Sequence, residues 1–138
     1  MRILIADDNE MVRRGVRELL SSETGWEVCG EAIDGAEALR KAQELLPDLI
    51  LLDVSMPDMN GLEAARLLRD VLPEVKIIII SQHDPVQLLP AAVDAGAHAC
   101  VDKSFLNTDL LPTVRNIEGT SEIQRAANAS SKRGQKSG

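Results

Sequence analysis

The chain has 138 residues, 44% of them hydrophobic, with one Trp, one Phe and no Tyr. That length suits a single domain whose core is packed by Leu, Ile, Val and Ala. A net charge of −7 is the wrong sign for neutralising phosphate backbones, so direct nucleic-acid binding is not expected. From Gln124 onward there is no acid and four bases, so residues 1–123 carry −11. Cys29 and Cys100 lack metal-type spacing and read as reduced strand residues. No run reaches the ~18 apolar residues of a membrane span. The start MRILIADDNE meets an acid at Asp7, too early for a secretory leader, and a soluble cytoplasmic protein is expected.

In chain order, short continuous apolar runs at 3–6, 28–33, 49–52, 75–80 and 97–101 predict strands covered on both faces. Between them lie segments of helical spacing. Met11, Val12, Val16, Leu19 and Leu20 form the first, and Ala36, Leu39, Ala42 and Leu46 the second. Leu62, Ala65 and Leu68 form the third, Val86, Leu89 and Val93 the fourth, and Leu110, Leu111, Val114 and Ile117 the fifth. Strict alternation predicts an open parallel sheet with helices on both faces. Asp34-Gly35 and Asn60-Gly61 open helices that Pro47 and Pro73 close, and Asp84-Pro85 reads as an N-cap before a Pro at the first helical position. Pro90 falls five residues later; an interior Pro costs about 3 kcal/mol, which predicts a late start, a kink or fraying there. After Ile117 the pattern fails, and at most a short helical extension followed by a disordered tail is expected.

In such a sheet, ligands bind at the carboxyl ends of the strands, where strand order reverses. Asp7 and Asp8 follow the first strand, Asp53 ends the third, Ser81 ends the fourth, and Lys103 lies past the fifth. Three converging carboxylates repel, and a hard divalent cation such as Mg²⁺ resolves the conflict. A carboxylate flanked by a metal, a lysine and a hydroxyl donor suits phosphoryl acceptance, with Asp53 as nucleophile. Taken singly, each residue has a plainer reading. An Asp at a strand end is most often a cap or loop acid, and Asp8 is placed to cap a helix beginning near Glu10. It is the joint occurrence at four strand ends that points to chemistry.

The segments ILIADDNEMVRRGVRELL, DLILLDVSMPDMNGLEAARLLR, IIIISQHD and DAGAHACVDKS resemble, in order and spacing, the receiver domain of two-component response regulators, most closely the NarL/FixJ subfamily. The resemblance covers residues 1–118 and implies a flavodoxin-like doubly wound five-stranded parallel sheet, strand order 2-1-3-4-5, with five flanking helices. It further implies that Asp53 is the phosphoacceptor, that Asp8, Asp53 and the Ser55 backbone carbonyl ligate Mg²⁺, and that Asp7 does so mainly through water. Ser81 would move toward the phosphoryl group and Lys103 would contact it. The implied donor is a phosphohistidine on a sensor histidine kinase or phosphotransfer protein. A downstream effector protein or domain would read the state, with homodimerisation on phosphorylation as one output. Self-phosphorylation and autodephosphorylation are implied, not enzymatic turnover.

Departures from the family pattern stand at Cys100, where an aromatic residue or His is common, and at Ser104, where a cis-proline is common. A non-proline cis bond costs about 2.5–4 kcal/mol, so either that strain is kept or the loop runs differently. Asp102 is placed to compete for Lys103, while Met56, Gln82 and His83 are expected along the approach to Asp53. Residues 119–138 read as a flexible tail or linker, of a stand-alone receiver or of a longer DNA-binding regulator. Two rivals are a phosphorylation-independent binding module and an Asp-nucleophile phosphohydrolase. The hydrolase is disfavoured because the D-x-D after a first strand is missing.

Overall fold

The computed structural model describes the backbone of residues 1–82 and 84–131, and side chains within that range as far as Gly119. Five strands, β1 (Arg2–Ala6), β2 (Glu27–Ala32), β3 (Leu49–Asp53), β4 (Lys76–Ser81) and β5 (Ala99–Asp102), form one parallel sheet in the order β2-β1-β3-β4-β5. The helices are α1 (Glu10–Ser21), α2 (Gly35–Leu45), α3 (Gly61–Val71), α4 (Pro85–Asp94) and α5 (Leu106–Ser131). The alternation of runs predicted the parallel sheet with helices on both faces, and the strand order is the flavodoxin-like one that the family resemblance implied.

Successive strand residues point to opposite faces, which explains why Leu49, Ile50, Leu51 and Leu52 are all fully buried. Leu4, Ile50, Leu52, Ile77 and Ile79 face α2, α3 and α4, where Ala38, Ala42, Ala64, Ala65 and Ala92 let the helices lie close. Ile3, Ile5, Leu49, Leu51, Ile78 and Ile80 face Val16 and Leu20 of α1 and Leu110, Val114 and Ile117 of α5. Burying one such side chain contributes about 1.5–3 kcal/mol. The sheet centre is therefore the rigid part, and the strand ends inherit its register. Leu52 pairs with Ile79, Asp53 with Ile80, and Ser81 with Asp102, so the polar residues closing β3, β4 and β5 come to one edge.

The caps largely follow the sequence. Asp34 accepts from the Glu37 N–H at 2.8 Å, and Asn60 and Glu63 form a reciprocal capping box on α3. Asp84 accepts from the Val86 N–H at 2.9 Å. Leu46 ends α2 in the left-handed region at φ 50°. Asp8 does not cap α1; Asn9 does, accepting from the Val12 N–H at 3.1 Å.

Four expectations are corrected. α4 begins at Pro85 without delay and continues through Pro90. Its periodic apolar residues Val86, Leu89 and Val93 are exposed, and Ala92 is the residue it buries. β2 stops at Ala32, leaving Ile33 half exposed, and β5 starts at Ala99, after His98 accepts from the Ile77 N–H through Nδ1 and donates its own N–H to the Ile77 carbonyl. Lastly, the backbone of α5 is helical to Ser131, beyond the short extension expected past Ile117. Ala126, Ala127 and Ala129 supply helix propensity where the apolar period has ended. Residues 132–138, the rest of the expected tail, lie outside the described residues. Among the described residues, no helix is long and apolar enough to cross a membrane.

Candidate functional site

Asp7 follows β1, and its N–H donates to the Ala32 carbonyl of β2 at 3.0 Å, so the loop stays in sheet register one residue past the strand. Its side chain is buried and divided between two tasks. Oδ1 accepts from the Asn9 N–H at 2.8 Å, while Oδ2 lies 3.0 Å from Lys103 Nζ. Asp53 repeats the arrangement: Oδ1 accepts from the Ser55 N–H at 3.2 Å, and Oδ2 lies 3.2 Å from the same ammonium. Both Oδ2 atoms are buried at ion-pair distance from Lys103, yet neither accepts a well-aligned hydrogen bond. Asp8 is exposed, and no described residue pairs with its carboxylate. One oxygen from each of Asp7, Asp8 and Asp53 lies within 4.8 Å of the others.

The electrostatics follow from burial. The Asp53 carboxyl is raised above its ordinary range, first by desolvation and then by the Asp7 charge; Lys103 and the Ser55 N–H oppose the rise. For Lys103, burial works against the ammonium, but Asp7 and Asp53 outweigh it and the pKa rises. One ammonium thus pairs with two of three clustered carboxylates, and two negative charges are left over when all are ionised. Oxygen donors, a surplus of negative charge and buried carboxylate oxygens with unused acceptor capacity fit a hard divalent cation.

α3 holds the Asp53 backbone in place. A Cβ on Gly61 would stand 2.3 Å from the Asp53 carbonyl oxygen and 2.9 Å from its carbon, so the position tolerates only a hydrogen. The Gly61 N–H donates to the Val54 carbonyl at 2.9 Å, and the Val54 N–H to the Ile80 carbonyl at 3.0 Å. Asn60-Gly61 is therefore a clamp on the acidic strand end as well as a helix start.

Most of the anticipated residues converge. Ser81 is buried at the end of β4, Ser55 is exposed in the loop beyond Asp53, and Lys103 reaches both buried acids. Asp102 does not compete for Lys103; it accepts from the Ser104 N–H at 2.8 Å and caps a 3-10 turn over Lys103–Phe105. There is no cis peptide among the described residues, so the loop runs differently from the cis-proline pattern. Ser104 supplies an N–H that proline lacks, and Asp102 uses it. Met56 is 8% exposed and belongs to the core cluster on the face covered by α2, α3 and α4. Gln82 is exposed, and His83 lies outside the described residues. Cys100 is partly buried against the same core, and burial raises its thiol pKa, so it behaves as an apolar filler. Arg13 was not legible in the sequence: its guanidinium donates to the Asp7 carbonyl at 2.8 Å.

A lysine-bridged set of carboxylates at the carboxyl edge of a 2-1-3-4-5 sheet is the arrangement of an α/β phosphoryl-accepting switch module. The response regulator receiver domain matches residues 3–115, and the chain belongs to that family, whose members act as signalling switches and are not classical enzymes. The uncharacterized transcriptional regulatory protein YhcZ of Bacillus subtilis is 38% identical over 119 residues, covering 86% of this chain and 55% of that protein. The chain spans about half the length of the curated relatives it matches. Among solved structures, a LuxR-family two-component response regulator from Aurantimonas sp. SI85-9A1 aligns with a TM-score of 0.80 at 34% identity, covering 84% of this chain and 83% of that one. The signal receiver domain of the putative response regulator NarL from Mycobacterium tuberculosis aligns at 0.78 and 34%, covering 84% and 94%.

Proposed function

We propose that Asp53 is the phosphoacceptor of this switch and that residues 1–118 form the switching unit, with 119–138 as a tail or linker. The observation that carries this is the sharing of Lys103 between Asp7 and Asp53, with Asp8 alongside and without a partner among the described residues. The donor is a phosphohistidine on a cytoplasmic sensor kinase or phosphotransfer protein. A carboxylate oxygen of Asp53 forms a bond to phosphorus as the phosphorus–nitrogen bond breaks, and the imidazole leaves with that electron pair. The product is an acyl phosphate, which water returns to carboxylate and inorganic phosphate.

Asp8, Asp53 and the Ser55 carbonyl would hold Mg²⁺ directly, and Asp7 through water. Bound there, the ion neutralises charge on the transferred phosphoryl oxygens. Lys103 stays charged over the working pH range because its two acids raise its pKa, and it can follow the phosphoryl group while remaining near Asp7. Ser81, at the end of β4, supplies a hydroxyl donor to the phosphoryl group and carries the change toward an effector surface, with homodimerisation as one output.

Incubation with a small acyl-phosphate donor and Mg²⁺ tests this by intact mass. One added phosphoryl group, lost in Asp53→Asn, is the expected result. No adduct on the wild-type chain would overturn it and leave the second reading, a binding module with a fixed output face. Cys100 favours that second reading, since a thiol lacks the ring that would track Ser81.

A further inference from the structure

Among the described residues the Asp8 carboxylate has no partner, so no side-chain contact there aims it at the acid cluster. Its direction is set by the backbone, and first by the peptide group joining Asp7 to Asp8. The carbonyl of that peptide accepts from Arg13 Nη1 at 2.8 Å. Arg13 Nε in turn donates to Glu31 Oε1 on β2 at 2.9 Å. Two nitrogens of one planar guanidinium thus tie the loop to the neighbouring strand.

The brace is backed at both ends. Glu31 also pairs with Arg17, one turn along α1, and its backbone carbonyl accepts from Lys41 Nζ at 2.5 Å. At the other end, the Arg13 N–H donates to the Asn9 carbonyl at 3.1 Å, closing the first turn of α1 behind the loop. The Arg13 side chain is 14% exposed, so its bonds form where water competes weakly. Asp7 is already held at its N–H by Ala32 and at Oδ1 by Asn9. With its carbonyl also held, the peptide plane before Asp8 loses its rotational freedom.

We infer that Arg13, seated on Glu31, is a positioning residue for the cation site: by gripping the Asp7 carbonyl it fixes the peptide from which Asp8 projects. This rests on the reading that Asp8 and Asp53 hold Mg²⁺. A lysine at position 13 keeps the charge but lacks the fork needed to reach Glu31 and the Asp7 carbonyl together. Positioning and mere charge balance therefore predict different results for Arg13→Lys.

The test is Mg²⁺ titration of the full chain by calorimetry, with thermal melting in the absence of the ion as a parallel measurement. Arg13→Lys and Arg13→Ala should both weaken Mg²⁺ binding by roughly 10-fold, the usual scale for removing a partner that orients a metal ligand. Melting without the ion should change little, because Arg17 still satisfies Glu31. Glu31→Gln, which leaves the Asp7 contact but loosens its anchor, should give a smaller loss. At saturating Mg²⁺ the phosphorylation rate from a small donor should return to the wild-type value, an effect on affinity and not on the chemical step. Wild-type affinity in Arg13→Lys, with binding still abolished by Asp8→Asn, would overturn the positioning role alone. A wild-type chain that binds no Mg²⁺ would overturn the parent reading.

Discussion

Lys103 sets the charge balance of the site. Its ammonium stands between two carboxylates, each almost fully buried. Lys103→Ala should cost on the order of 3 kcal/mol in urea unfolding at neutral pH, because it leaves buried charges uncompensated. Asp53 gives the opposite sign. Its folded pKa lies above its unfolded one, so the folded state holds the extra proton in that window and loses stability as pH rises through it. Asp53→Asn should therefore be more stable than wild type at pH 7. The gap should close below about pH 4, where Asp53 is protonated whether folded or not. A gap that persists under acid would show that shape, not charge, is responsible. Asp7, Asp53 and Lys103 were legible in the sequence because each follows or ends an apolar run. Arg13 was not, since nothing in its surroundings distinguishes it from Arg14 or Arg17.

Among the elements, α3 and α4 show what periodicity resolves. The start of α3 is written in Asn60-Gly61, but the need for glycine comes from the Asp53 carbonyl, which a Cβ would meet at 2.3 Å. Gly61→Ala should destabilise by about 2 kcal/mol, the range of overpacking, and slow phosphorylation by displacing Asp53. Normal kinetics with unchanged stability would show that the first turn of α3 can move aside. In α4 the periodic apolar stripe misled: Val86, Leu89 and Val93 face outward. Spacing identifies one face of a helix but not what lies against it. Replacing those three with polar residues should each change unfolding free energy by less than about 0.5 kcal/mol, as for exposed positions. A loss several times larger would mean that the stripe is covered in solution. Pro90 did not delay the helix either. Its missing N–H and its ring leave the carbonyl one turn earlier without a helical partner, and the exposed position lets water take that place.

For the molecule as a whole, the acid cluster is a local excess within a chain of net charge −7. A ligand that binds only the folded state stabilises by mass action, so Mg²⁺ at about 100 times its dissociation constant should add roughly 2.7 kcal/mol. Thermal melting in increasing Mg²⁺ should rise for the wild type and stay flat for Asp8→Asn. An equal rise in both would place the ion elsewhere. The sequence by itself determined the parallel five-stranded architecture and which strand ends carry acids, because continuous apolar runs and turn residues are local properties of the chain. It also determined the family, through the order and spacing of those acids, the lysine and the loop glycine. Only the tertiary structure decided that Lys103 serves two carboxylates at once, that Asp102 turns away to Ser104, and that Arg13 ties the Asp7 peptide to Glu31. Those are contacts between residues distant in sequence or set by side-chain direction. Their geometry exists only after the sheet register brings the strand ends together.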